Sequence, residues 1–136
     1  MNTSKKIWTI AALSGAMCVM LGAFGAHGLK AKLLPEQLQT FETGVRYQFY
    51  HTFALIACGC LRDQMTDSKW ISAAAYCFVI GILFFSGSLY LLSNREWLGI
   101  SSWQWLGPVT PLGGLLFITG WILLAVAVQK KTYEAL

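Results

Sequence analysis

Charged residues divide this chain into four long uncharged stretches, Ile7–Leu29, Tyr47–Leu61, Trp70–Asn94 and Trp97–Gln129. Crossing the roughly 30 Å hydrocarbon core of a bilayer takes about 20 mostly apolar helical residues. Backbone groups find no water there, so only helices and closed barrels satisfy their own hydrogen bonds. The stretches lack the alternation of barrel strands, which leaves helices. The pattern predicts an all-α membrane protein: an antiparallel four-helix transmembrane bundle with spans at about 5–27, 45–62, 69–92 and 111–129. An amphipathic segment leads into the second helix.

Punctuation residues set the expected ends. Thr3 or Ser4 is placed to cap helix 1, and Gly28 to stop it. Ser14, Cys18, Gly22 and Ala26 recur every fourth residue, with Ala11 and Gly15 beside them, a spacing that lets helix backbones approach closely in lipid. Pro35 suits a first helical position and Glu36 the positive end of the helix dipole. From there Leu38, Phe41, Val45 and Phe49 keep one apolar stripe. Pro35–Arg46 therefore reads as an amphipathic first half lying in the interface, with a bend at Gly44. Asp67 or Ser68 caps helix 3, where Ala73, Cys77 and Gly81 form a second small-residue stripe. Pro108 and Pro111 break the longest apolar run, and Thr110-Pro111 reads as cap and first turn of helix 4. Trp97, Trp103 and Trp105 before it suit a loop at headgroup depth.

Four spans leave no room for a soluble domain in 136 residues, so residues 1–136 form a single integral membrane domain. The net charge of +4 comes from basic residues scattered in ones and twos, which excludes a nucleic-acid surface and suits juxtamembrane anchoring. The basic start followed by an apolar run has the look of a secretory signal, but the run outlasts a signal's hydrophobic region and reads as the first transmembrane helix. With the N-terminus inside, the inner face carries Lys5, Lys6, Arg62, Lys69, Lys130 and Lys131 against Lys30, Lys32, Arg46 and Arg95 outside. That bias favours a bacterial inner-membrane protein with both termini in the cytoplasm. Cys18, Cys58, Cys60 and Cys77 all fall in predicted spans and lack the second half of a zinc site.

Folding four antiparallel spans brings the end of helix 1, the start of helix 2, the end of helix 3 and the start of helix 4 to one face. The polar residues at membrane depth gather there: His27; Glu42, Arg46, Tyr47, Tyr50 and His51; Ser86, Ser88 and Tyr90; and Thr110. Glu42 and Arg46 are four apart, as are Arg46 and Tyr50, Tyr47 and His51, and Ser86 and Tyr90, so each pair shares a helix face. Arg46 is placed to pair with Glu42 and to donate toward Tyr50. His51 lies about four residues, or roughly 6 Å, inside its span. An ionisable residue at that depth marks a functional-site hypothesis. The competing readings are a salt bridge at the interface, a histidine at a helix end, interface tyrosines and simple packing.

At these same residues the chain resembles a known family. Gly22–Leu29 (GAFGAHGL), Phe41–His51 (FETGVRYQFYH), Phe85–Tyr90 (FSGSLY) and Thr110–Leu115 (TPLGGL) resemble the domain-of-unknown-function 423 family, small bacterial membrane proteins of the YgdD and YwdK type with a related animal transmembrane protein. The likeness covers nearly the whole chain. It implies a four-span inner-membrane protein, and it carries over no activity or catalytic residue.

Two functions compete on this reading. One is a module that binds or passes a small solute, an ion or a lipid headgroup through a polar site at the outer face. Passage would require a homo-oligomer or a membrane-protein partner, because one chain has neither an inverted repeat nor a broken mid-membrane helix. The other is a non-catalytic accessory subunit that assembles with another membrane complex. A redox module with haem between His27 and His51 is weaker, since their heights in the membrane differ. No cofactor or metal is expected, and no catalytic motif is present. Glu42 and His51, separated along one helix by about 13 Å, would need the Gly44 bend to share a proton.

Overall fold

The computed structural model describes residues 2–65 and 68–134, and every element among them is helical. Four long helices follow one another: α1 (Thr3–Leu29), α2 (Pro35–Gln64), α3 (Lys69–Ser93) and α4 (Leu106–Glu134). Three of them, α1, α3 and α4, are long and apolar enough to cross a membrane. α2 is the polar one, with Glu36, Glu42 and Arg46 in its first half, and its 30 residues extend about 45 Å.

Contacts between named residues show how the helices run. Down the α1–α2 seam, Ser4 bonds Asp63, Ser14 bonds Thr52, Gly22 faces Val45 and Gly25 faces Phe41. Between α2 and α3, His51 meets Phe78, Tyr47 meets Phe85 and Gly44 meets Tyr90. Between α3 and α4, Phe78 meets Gly120, Phe117 meets Gly81 and Ser88 bonds Thr110. Numbers rise on one helix as they fall on the next, so every consecutive pair is antiparallel. The expected all-α bundle is what the chain forms, with α1 seated mainly on α2 and α4 mainly on α3.

The α3–α4 seam is the tightest. Phe78 lies over Gly120 and Phe117 over Gly81, each ring within 2.6 Å of where a glycine Cβ would stand. A Cβ on Gly113 would fall 2.3 Å from the Phe85 backbone nitrogen. Two aromatic rings thus occupy two glycine notches, and the backbones approach most closely beside them. In lipid, where burial of apolar surface drives little, such close packing and its dispersion contacts hold helices together.

Several expected boundaries move. Helix 1 is capped by neither Thr3 nor Ser4: Asn2 precedes it without a side-chain cap bond, and the Ser4 hydroxyl bonds Asp63 instead. Gly28 does not stop it, since the chain winds on through a π-helical turn at Phe24–Leu29, and the one described glycine with positive φ is Gly99 at 70°. Ser68 stands at the N-cap of α3 without a side-chain bond, and Asp67 lies outside the described residues. Pro35 does open α2, where the Leu34 N–H donates to Gln37 Oε1 at 3.0 Å.

α2 then runs without interruption at Gly44 to Gln64, and its first half packs into the bundle, Phe41 on Gly25 and Gly44 on Tyr90, and does not stand apart from it. Gly44 serves a close approach, because a Cβ there would stand 2.8 Å from the Tyr90 ring. The last helix begins at Leu106, five residues before the expected start, and holds Pro111 inside it. Pro108 sits in the first turn, where its missing N–H has no intrahelical acceptor to leave empty. Pro111 forfeits one bond, to the carbonyl of Gly107, which is exposed at the helix end.

At the other end of the bundle, the exposed carboxylate of Asp63 accepts from the Ser4 hydroxyl and from Trp8 Nε1 at 3.0 Å. The Ser4 bond first, then the Trp8 bond, hold its pKa below the ordinary value of 3.8. A group whose pKa is lower in the folded protein stabilises it above the unfolded pKa and ceases to do so as pH falls through the folded value. The N-terminal clamp is therefore expected to be constant above about pH 5 and to weaken only below about pH 4. Amide exchange of the first turns of α1 against pH measures it; Ser4→Ala should shift the loss to higher pH, and an unchanged profile would refute the clamp.

Candidate functional site

The polar residues at the end of the bundle where α1 turns into α2 separate into two groups that the helix periodicity alone does not distinguish. One is sealed inside the bundle and the other lines its flank.

The buried group centres on Gln48, which is 2% exposed. Its Oε1 accepts from the Tyr90 hydroxyl at 2.8 Å, and its Nε2 donates to the Ser14 carbonyl at 3.3 Å and the Ser14 hydroxyl at 3.4 Å. Ser14 in turn shares a 2.7 Å bond with Thr52, whose hydroxyl also donates to the Gln48 carbonyl. Three helices are thereby tied through one side-chain amide. Buried amides and hydroxyls are costly unless bonded, and these are bonded internally.

His51, one turn along α2 from Gln48, packs against α3 and α4. Its ring stacks on Phe117, with centroids 3.4 Å apart and planes 5° from parallel. Trp121 Nε1 reaches Nε2 at 3.3 Å, and the Tyr47 carbonyl lies 2.8 Å from Nδ1. An indole only donates and a carbonyl only accepts, so the ring is neutral with its proton on Nδ1. Both nitrogens are engaged. His51 is therefore a packed core residue, and neither nitrogen is open to a haem iron.

His27 is exposed in the π-helical turn of α1, so the two histidines do not meet. Ser88 and Thr110 bond at 2.7 Å across α3 and α4, which makes Thr110 a link between helices rather than the cap of one. Ser86 is fully buried and its hydroxyl has no partner, in a second π-helical turn at Ile82–Ser86. Such turns recur at functional sites because the wider winding displaces backbone groups from their usual bonds.

The flanking group is Glu42, Arg46, Tyr47 and Tyr50, all exposed. Glu42 and Arg46 form no ion pair with each other despite their spacing, and Arg46 does not bond Tyr50. Tyr47 packs on Phe85 at 4.6 Å and meets Tyr50 edge-on at 5.9 Å. Glu42 and Arg46 instead stand on the rim of a groove of about 310 Å³ along the α1–α2 seam. Gly22 and Gly25 open it by their lack of side chains, and Cys18, Val19, Phe41, Val45 and Phe49 supply its apolar lining.

Sequence reasoning joined His51 with Glu42 and Arg46; the fold divides them between interior and flank. The continuous helix also keeps Glu42 from His51, so no bend lets them share a proton. Gln48, Thr52 and Trp121 were not singled out beforehand, and Ser14 was read only as part of a small-residue stripe. A glutamine inside the uncharged run Tyr47–Leu61 was the available signal, since an amide in lipid needs partners on another helix. In the loop before α4, Trp97, Trp103 and Trp105 are exposed, and Lys32 Nζ stands 4.8 Å above the Trp97 ring.

A family model described as "Protein of unknown function (DUF423)" matches residues 21–114, more than half of the chain. The chain belongs to the DUF423 family. The match begins just before the first π-helical turn and ends beside Gly113, so it spans the polar half of the bundle. DUF423 relatives agree: the UPF0382 membrane protein YwdK of Bacillus subtilis is 40% identical over 121 residues, covering 89% of this chain and 94% of the relative. A UPF0382 membrane protein of Haemophilus influenzae is 43% identical over 126 residues, covering 93% and 95%. UPF0382 membrane protein SH2409 of Staphylococcus haemolyticus is 41% identical over 120 residues, covering 85% and 92%. No solved structure matches. With bacterial membrane-protein relatives and three apolar helices, this DUF423 chain is a membrane protein.

Proposed function

We propose that the protein is a non-catalytic binding module of the bacterial inner membrane that holds an amphiphile in the α1–α2 groove. In this reading all four helices cross the bilayer, with both termini in the cytoplasm and the groove opening in the outer leaflet. The observation that carries it is the change of polarity along the groove. Glu42 and Arg46 occupy the end nearer the loop side, and Cys18, Val19 and Phe49 the end nearer the bilayer centre. Two charged side chains bordering an otherwise apolar groove suit a molecule with a polar head and an apolar tail. A bulk-solvent solute has no use for the apolar lining, and a passing ion has no use for a lateral groove. The buried amide network supports binding over permeation, because Gln48 spends its donors and its acceptor on Tyr90 and Ser14.

Gly22→Leu tests this directly. A Cβ at Gly22 meets only Val45 Cγ1, at 3.9 Å, so the first atom of the leucine side chain fits the seam and its branches occupy the groove; circular dichroism checks that the bundle is kept. Native mass spectra of the gently solubilised wild-type protein are expected to show a retained amphiphile, and spectra of Gly22→Leu to show the bare chain. Equal retention in both would sink the assignment.

A further inference from the structure

Resting on that reading of the groove, the geometry points to its occupant: a phospholipid whose headgroup carries both a phosphate and a primary ammonium, of the phosphoethanolamine type. Glu42 and Arg46 sit one helical turn apart on the groove rim, both exposed and unpaired with each other. Opposite charges at this spacing on a helix commonly pair. Left apart at one end of an apolar groove, they present a negative and a positive site side by side.

A zwitterionic headgroup complements that arrangement with both its charges. The guanidinium of Arg46 is a planar fork suited to two phosphate oxygens, and the Glu42 carboxylate accepts N–H bonds from an ammonium. A choline headgroup offers the same charge but no N–H to donate. A glycerol headgroup supplies the phosphate and leaves Glu42 with a net anion beside it. The groove orders the rest of the molecule, since the chains follow from the rim past Gly22 toward Cys18, Val19 and Phe49. Tyr50, exposed one turn from Arg46 on the same helix, adds an aromatic side chain of the kind enriched where membranes meet water.

The test uses the full chain, delipidated and offered an equimolar mixture of phosphatidylethanolamine, phosphatidylcholine and phosphatidylglycerol with identical acyl chains, with bound lipids read by native mass spectrometry. The wild-type protein is expected to retain phosphatidylethanolamine about five- to tenfold over each of the others. Glu42→Gln should reduce that preference to near unity while total lipid stays bound, and Arg46→Gln should lower retention of all three. Both residues are exposed and partnerless, so the substitutions leave the bundle intact, which circular dichroism verifies. Retention without headgroup preference, or preference for phosphatidylglycerol, overturns the headgroup assignment while Gly22→Leu still strips the lipid. If Gly22→Leu changes nothing, the groove reading itself has failed, and the headgroup assignment with it.

Discussion

Phe117→Ala is expected to destabilise the bundle by about 3 kcal/mol, read as a fall in the thermal midpoint of the detergent-solubilised protein. Phe117 fills the Gly81 notch, stacks on His51 at 3.4 Å and meets Phe85 at 5.5 Å. Phe→Ala in a water-soluble core costs about 3–5 kcal/mol, part for transfer from water and part for the cavity left behind. In a membrane the transfer part largely disappears, because lipid solvates an exposed ring nearly as well as protein does. The cavity part persists, and here it is large: the ring's neighbours are backbone and aromatic faces that collapse poorly. His51 would lose one face of its support while keeping its bonds to Tyr47 and Trp121. Phe117→Leu, which still fills part of the notch, should cost about half as much. A loss below about 1 kcal/mol for the alanine would show that the α3–α4 seam is not what holds this half together.

Gly113→Ala, a single added methyl, is expected to cost about 2–3 kcal/mol, near the top of the range for overpacking. The new Cβ would stand 2.3 Å from the Phe85 nitrogen and 2.8 Å from its Cα. Because the obstructing atoms are backbone, no rotamer change relieves the clash, and the two helices must separate. Separation would withdraw Phe117 and Phe78 from their notches and lengthen the Ser88–Thr110 bond. Gly87→Ala is the matched control. Gly87 is also inside α3 but a Cβ there meets nothing within 4 Å. Alanine at that position should be neutral or stabilise by up to about 1 kcal/mol through helix propensity. Equal thermal midpoints for the two variants would refute the close approach at Gly113.

The TPLGGL string is thereby accounted for. It looked like a cap followed by packing residues; in the fold Thr110 binds Ser88 and Gly113 admits the Phe85 backbone. The GAFGAHGL and FSGSLY strings likewise overlap the two π-helical turns, Phe24–Leu29 and Ile82–Ser86. Nothing in an apolar run announces a change from four-residue to five-residue hydrogen bonding. Both windings keep the run uncharged, and only neighbouring helices decide which is preferred.

Pairing within a helix was the least reliable guide. Glu42 and Arg46 have the right spacing and yet leave each other for the groove rim. Tyr47 and His51 lie on one face, but the bond joining them runs from the imidazole to the Tyr47 carbonyl, and the tyrosine ring, 6.3 Å from the imidazole, packs more closely on Phe85 at 4.6 Å. Spacing fixes which side chains are near, while partners across the seam decide where they point. Gln48 illustrates the same limit. It is an ordinary glutamine by propensity, and its importance follows from Tyr90, which lies 42 residues away in the chain.

The chain's own order of residues was sufficient for the class, the number of long helices and their antiparallel succession. Charges excluded from lipid and backbone bonds closed within each helix are local requirements, legible in any run long enough to meet them. The division of the polar residues between a sealed interior and an open groove was settled by tertiary contact. It depends on the rotation of each helix about its axis, and that rotation is set by which glycines admit which rings from distant parts of the chain.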